Sequence, residues 1–133
     1  MNRTRFALAA LACFALAGCD LSETASSDDK QVRDGDPARG RAIITSGVHG
    51  CTACHSIPGI RAPRGVVGPP LGGMARRGFI AGQLPNKPDV LVAFLQNPPA
   101  LVPETGMPDV RVSLEEARHI AAFLYTLEPA RDP

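Results

Sequence analysis

The chain has 133 residues, a formal net charge of +1, an average share of charged side chains, no tryptophan, and 13 residues each of glycine and proline. That length sets the scale at one small domain. No basic patch, phosphate-cradling glycine loop or acid/base pair stands out, which argues against nucleic-acid binding and against catalysis by side chains alone.

Arg3 and Arg5 precede the apolar run Phe6 to Leu16, which is too short to span a bilayer and suits the hydrophobic region of a secretory signal. The run ends in Leu16-Ala17-Gly18-Cys19, which resembles the lipobox of bacterial lipoproteins. That resemblance implies cleavage before Cys19, a diacylglycerol on its thiol and a further acyl chain on the new amino terminus. More than one chain gives stable membrane attachment. An ordinary signal peptide with an incidental cysteine is the plainer alternative. Asp20 resembles a signal for retention at the inner membrane. Residues 1–18 are therefore expected to be a signal peptide, and the expected location is the bacterial inner membrane, lipid-anchored and facing the periplasm.

Residues 19–35 read as a lipidated, disordered tether, because Asp20 to Gly35 is polar with few large apolar side chains. From Asp20 to Asp36 there are six acidic and two basic residues, net −4; from Pro37 onward there are ten basic and seven acidic, net +3. An acidic leash thus precedes a mildly basic domain, expected over residues 36–133.

Asp36-Pro37 predicts a helix start, with Asp as the N-cap and Pro at the first helical position, running to about Ser46. Next comes Cys51-Thr52-Ala53-Cys54-His55. Thiols at i and i+3 with an imidazole at i+4 share one face of a helical turn, and C-x-x-C-H reads as covalent attachment of a c-type haem. The two sulfurs would bond the vinyl groups while His55 reaches the iron. A thioredoxin-like site would need a βαβ pattern that the flanking glycines and Pro58 do not supply. A structural zinc would need a fourth ligand, with only His49 and His119 as further imidazoles. A Cys51–Cys54 disulfide would leave His55 without a role.

Ile57 to Lys87 is rich in Gly and Pro and predicts a long loop, whose Val66, Val67, Leu71, Phe79, Ile80 and Leu84 would pack against the cofactor. A shorter helix is predicted from about Pro88 through Leu95, ending before Pro98-Pro99. Ser113-Leu114-Glu115-Glu116 is a capping-box pattern, and Leu114, Ala117, Ile120, Ala121, Phe123, Leu124 and Leu127 recur behind it at helical spacing. That last helix is expected to end before Pro129. His49 and His119 are expected at the surface or rim.

In order, Gly40, the Cys51 to His55 motif, Gly68-Pro69-Pro70-Leu71, Asn97-Pro98, Pro103 to Pro108 and the amphipathic last helix resemble class I cytochrome c over about Asp36 to Leu127. The resemblance implies an all-α fold of about three main helices, with long loops wrapped around one covalent haem. It implies that Gly40 lies at the contact of the first and last helices, against Phe123 and Leu124. It makes His55 and Met107 the axial iron ligands, with Met74 as a rival methionine, and makes the Pro69 carbonyl the acceptor for the second ring nitrogen of His55. Thr105 and Arg77, with Arg76 or Asn86 as alternatives, would bond the propionates. Phe94 and Asn86 depart from the family pattern, where a tyrosine and a tryptophan often stand.

A His/Met-ligated iron has no open site, so the implied function is one-electron transfer in a bacterial respiratory chain, without enzymatic activity of its own. The expected partners are redox complexes at the membrane, such as a quinol-oxidising complex or a terminal oxidase, with no nucleic acid and a monomeric haem domain. The alternatives are a haem subunit of a periplasmic dehydrogenase or terminal oxidase complex and, further off, a haem-based ligand sensor.

Overall fold

The computed structural model describes residues 28–63 and 65–129. Cys19 and the signal segment lie outside them. Regular structure among the described residues is mostly helical: α1 (Pro37–Ser46), α2 (Cys51–Cys54), α3 (Pro88–Gln96), α4 (Pro98–Leu101) and α5 (Leu114–Tyr125), with one two-stranded antiparallel sheet of β1 (Phe79–Ile80) and β2 (Leu84–Pro85). None of these helices is long and apolar enough to cross a membrane.

The helix ends follow from local chemistry. The Asp36 carboxylate accepts from the Ala38 and Arg39 amides at 2.8 and 3.2 Å, satisfying donors that α1 cannot use internally. Gly47 closes α1 at φ 75°, a left-handed conformation that suits a residue without Cβ. At α5 the capping box is complete: the Glu116 amide donates to Ser113 Oγ at 3.3 Å, and the Ser113 amide donates to Glu116 Oε2 at 3.0 Å. The Ser113 hydroxyl, first, holds the Glu116 carboxyl below its ordinary range. Asn97 ends α3 and its side chain caps α4, accepting from the Ala100 amide at 3.2 Å.

The core gathers around α5, which packs against α1 and α3 and against a 3-10 turn at Met74–Arg76. Ala117, Ile120, Ala121, Phe123, Leu124 and Leu127 are buried with Ile44, Leu91, Phe94 and Leu95. Leu114, placed on the same stripe by its spacing, is 46% exposed. At the α1–α5 contact, a Cβ on Gly40 would overlap the His119 carbonyl and come within 2.9 Å of Phe123 Cβ. The expected glycine contact is therefore present, made with His119 and Phe123.

Three expectations need correction. Packing already engages residues before Asp36: Asp28–Lys30 forms a 3-10 turn, Val32 is only 8% exposed, and a Cβ on Gly35 would lie 2.8 Å from Ala122 Cβ. Arg118 also pairs with Asp34 at 3.6 Å. One valine and a close-packed glycine hold down a stretch that looks like tether by composition. The long loop is also not featureless, since it contains the Met74 turn and the hairpin. Of its apolar residues, Ile80 is buried and Leu71 and Leu84 are half-buried, while Val66, Val67 and Phe79 are exposed. His119, finally, is buried at 7% exposure because its Nδ1 accepts from the Asp36 amide at 3.0 Å, tying α5 to the start of α1.

Replacing Gly40 with Ala should cost about 1–3 kcal/mol, because the obstructing atoms are backbone and cannot turn aside. Denaturant unfolding checks this. A loss within experimental error would mean that α1 and α5 do not meet at Gly40.

Candidate functional site

α2 is one turn long, well below the length that sustains a helix by itself. Its conformation is fixed from outside. The His55 amide donates to the Cys51 carbonyl at 3.0 Å, and the loop from Gly65 to Leu71 then folds back over the motif. The Gly68 amide donates to the Cys54 carbonyl at 2.8 Å, and the Leu71 amide to the Ser56 carbonyl at 2.9 Å.

Two glycines allow this approach. A Cβ on Gly65 would lie 2.6 Å from the His55 backbone nitrogen, and one on Gly68 would lie 2.6 Å from His55 Nδ1. The backbone at Gly68 therefore lies flat against the imidazole. Directly after it, the Pro69 carbonyl sits 2.8 Å from His55 Nδ1. A carbonyl only accepts, so Nδ1 carries the ring proton and Nε2 is left with its lone pair for a ligand.

Cys51 and Cys54 are both free and half-buried. Burial pushes the Cys51 thiol up, the opposite of the lowered value that an exchange-active C-x-x-C needs. Among the described residues no three His, Cys, Asp or Glu side chains converge as a metal site. The thioredoxin-like, zinc and disulfide readings thus gain nothing from the geometry.

The remaining sequence-derived positions fall into separate groups. Arg77 donates to the carbonyls of Pro70 and, at 3.1 Å, Gly72, so its guanidinium braces the loop that carries Pro69. Arg76 instead forms an exposed pair with Glu128 at 3.2 Å. Asn86 is 3% exposed and spends both amide hydrogens, at 2.8 Å each, on the Met74 and Arg77 carbonyls, while its oxygen accepts from Tyr125 at 2.8 Å. It therefore has no hydrogen left for a propionate. Met74 is buried at 5% exposure beside α5.

Met107 lies on the loop between α4 and α5, half-buried against the same core as Cys51 and Leu71. Thr105 Oγ1 accepts from the Met107 amide at 3.2 Å, so Thr105 shapes the turn that presents the thioether. The sequence reading gave no role to Gly65 or His49. Gly65 had a signal in its spacing, three residues before Gly68, whereas the partners of His49 are far away in sequence. An open cleft of about 850 Å³ lies elsewhere, bounded by Lys30, Val32, Gly35, Ala122 and Tyr125, and contains none of these residues.

Gly68→Ala should push the His55 ring off the Pro69 carbonyl. The expected result is loss of the protected Nδ1–H resonance in proton NMR and a destabilisation of about 1–3 kcal/mol. An unchanged resonance would show that the loop can retreat without releasing the histidine. Comparison with known protein families and with curated proteins finds no match to this chain.

Proposed function

We propose that the chain is a membrane-tethered monohaem cytochrome of the class I cytochrome c type, carrying one electron at a time in a bacterial respiratory chain. The observation that carries this reading is the hydrogen bond from His55 Nδ1 to the Pro69 carbonyl at 2.8 Å, made beside two free thiols on one helical turn. A metal-ligating histidine characteristically donates its second ring nitrogen to a fixed acceptor, which sets the tautomer and raises its basicity. Pro69 is the acceptor that the resemblance names.

The residues suit the group. The Cys51 and Cys54 sulfurs would hold it as thioethers, and His55 Nε2 and the Met107 thioether would ligate its iron. When bound, haem supplies a one-electron ferric/ferrous couple, and His/Met ligation favours a high potential. The chain's own contribution is positioning: Gly65 and Gly68 admit the loop, Arg77 braces it, and Thr105 sets the Met107 turn. Arg77 uses one guanidinium nitrogen on the loop carbonyls and Thr105 Oγ1 accepts from Met107, so the other guanidinium N–H groups and the Thr105 hydroxyl hydrogen would serve the propionates. With His55 and Met107 both ligating the iron, the chain would relay electrons and perform no catalysis of its own.

Lipid on Cys19 would hold the domain at the periplasmic face of the inner membrane. Tethering raises the effective concentration of membrane-bound donors and acceptors without new contacts. A quinol-oxidising complex, a terminal oxidase or a dehydrogenase fits that role. Stable co-purification with one of them would make the chain a subunit of that complex instead of a free carrier.

Haem should stay with the polypeptide through denaturation and acidified solvent, adding the mass of one haem, and Cys51→Ala with Cys54→Ala should yield no stable holoprotein. Full release of the haem would end the c-type reading. Cys19→Ala should abolish acylation and move the protein out of the membrane fraction; a wild-type protein recovered soluble and unacylated would remove the anchor.

Met107→Ala should abolish the near-infrared Met–iron band, open the ferrous iron to carbon monoxide and lower the potential. Met74→Ala should keep the band while costing about 2–5 kcal/mol as a cavity in the core. The reverse pattern would make Met74 the ligand. A wild-type ferrous protein that binds carbon monoxide readily would favour a ligand sensor.

A further inference from the structure

His49 precedes Cys51 by two residues, and its side chain is 8% exposed. Its Nδ1 donates to the Val110 carbonyl at 2.9 Å, since the carbonyl can only accept. Its Nε2 is buried without a hydrogen-bond partner among the described residues and faces Glu116 Oε1 at 3.3 Å. The other oxygen of Glu116 is engaged in the capping box, accepting from the Ser113 amide at 3.0 Å and hydroxyl at 2.7 Å. Through Nδ1 the imidazole joins two parts of the fold, the segment leading into the C-x-x-C-H motif and the loop carrying Met107, and its ring lies against the start of α5.

The loop has few other restraints. Among the described residues, the other hydrogen bonds made by residues 103–112 are local: the Thr105 amide to Val102, the Met107 amide to Thr105 and the Arg111 amide to Asp109. Arg111, next to Val110, sits at φ 56°, a left-handed conformation that a side chain disfavours and that persists only where its surroundings impose it. Val112, buried at 5% exposure, anchors the far end. Among the described residues, the one hydrogen bond between Met107 and that anchor that reaches a distant part of the chain is the bond from His49.

We infer that His49 is the positioning residue for Met107: it fixes the methionine loop relative to the attachment motif, and so governs how firmly the thioether is held. The inference rests on the reading of Met107 as the second axial ligand. It assigns to the residues before Cys51 a task beyond presenting the thiols, because a displacement of that segment would reach the opposite axial ligand through a single side chain.

The test compares holoprotein variants by amide hydrogen exchange and by carbon monoxide binding to the ferrous form. His49→Phe keeps the ring volume and removes both nitrogens. It should loosen the loop and so speed exchange of the hydrogen-bonded Met107 and Arg111 amides by about tenfold, the equivalent of one lost hydrogen bond, and speed carbon monoxide binding by a similar factor. His49→Asn, whose amide can replace Nδ1, should restore most of both. Val32→Ala, a destabilised control under the N-terminal segment, should change neither selectively.

If His49→Phe does not fold with haem, His49→Ser, too short to reach Val110, takes its place against His49→Asn. Exchange of the Met107 and Arg111 amides and carbon monoxide rates within twofold of wild type, despite a lower unfolding midpoint, would overturn the proposal and leave His49 a packing residue. A wild-type protein lacking the Met–iron band would instead overturn the ligand reading. The exchange data do not pass through the iron, and they would still decide whether His49 holds the loop.

Discussion

Because Gly40 has no side chain and Ala117 and Ala121 have only a methyl, neighbouring backbone can come against α5 closely enough for the His119 carbonyl to occupy the place of a Gly40 side chain. Much of the remaining structure depends on that approach. It brings His119 Nδ1 to the Asp36 amide, and Asp36 in turn caps α1. The same helix receives Gly35 at Ala122, the Met74 turn and α3, and its capping box lies beside His49. α5 is therefore both the centre of the core and the reference against which the N-terminal segment and the methionine loop are placed.

A second constraint acts at the motif itself. A single turn cannot hold two thiols and an imidazole in fixed relation, because so short a helix gains too few hydrogen bonds for the dihedrals it fixes. The chain meets this by laying a loop across the turn, with Gly68 and Leu71 bonded to Cys54 and Ser56. The glycines make room, the Pro69 carbonyl orients the ring, and Arg77 ties that loop to itself. Half the work of the motif is thus done by residues outside it.

Much of the helical framework was legible because its determinants are local. Asp36-Pro37, the Ser113 to Glu116 box and Pro88 mark helix starts within a few residues, and the spacing of α5 is long enough to show its period. The pairing of His55 with Pro69 came from the resemblance; spacing alone would not have shown it. The hairpin was not legible, since two residues per strand give no alternation to read. Nor was the burial of His49 and His119, whose hydrogen-bond partners lie 61 and 83 positions away. Polar composition concealed the packing of residues 28–35 for a similar reason: Val32 and Gly35 act through contacts with distant parts of the chain, whereas composition averages over neighbours.

That early start to the packed body changes the geometry of the proposed anchoring. Lys30 reaches back to the Asn86 carbonyl and lies 5.8 Å from the centre of the Tyr125 ring, so the segment is pinned as far out as residue 30. Between Cys19 and Lys30 lie ten residues, 20–29, whose chain length can span at most about 36 Å when fully extended. A stretch free up to Asp36 would have sixteen. Under the proposed anchoring, the face bearing Lys30, Asn86 and Tyr125 is where the chain leaves the body, and the domain cannot move far from the bilayer. Under that proposal, donors and acceptors that work with the domain would then have to present their redox groups close to the membrane surface.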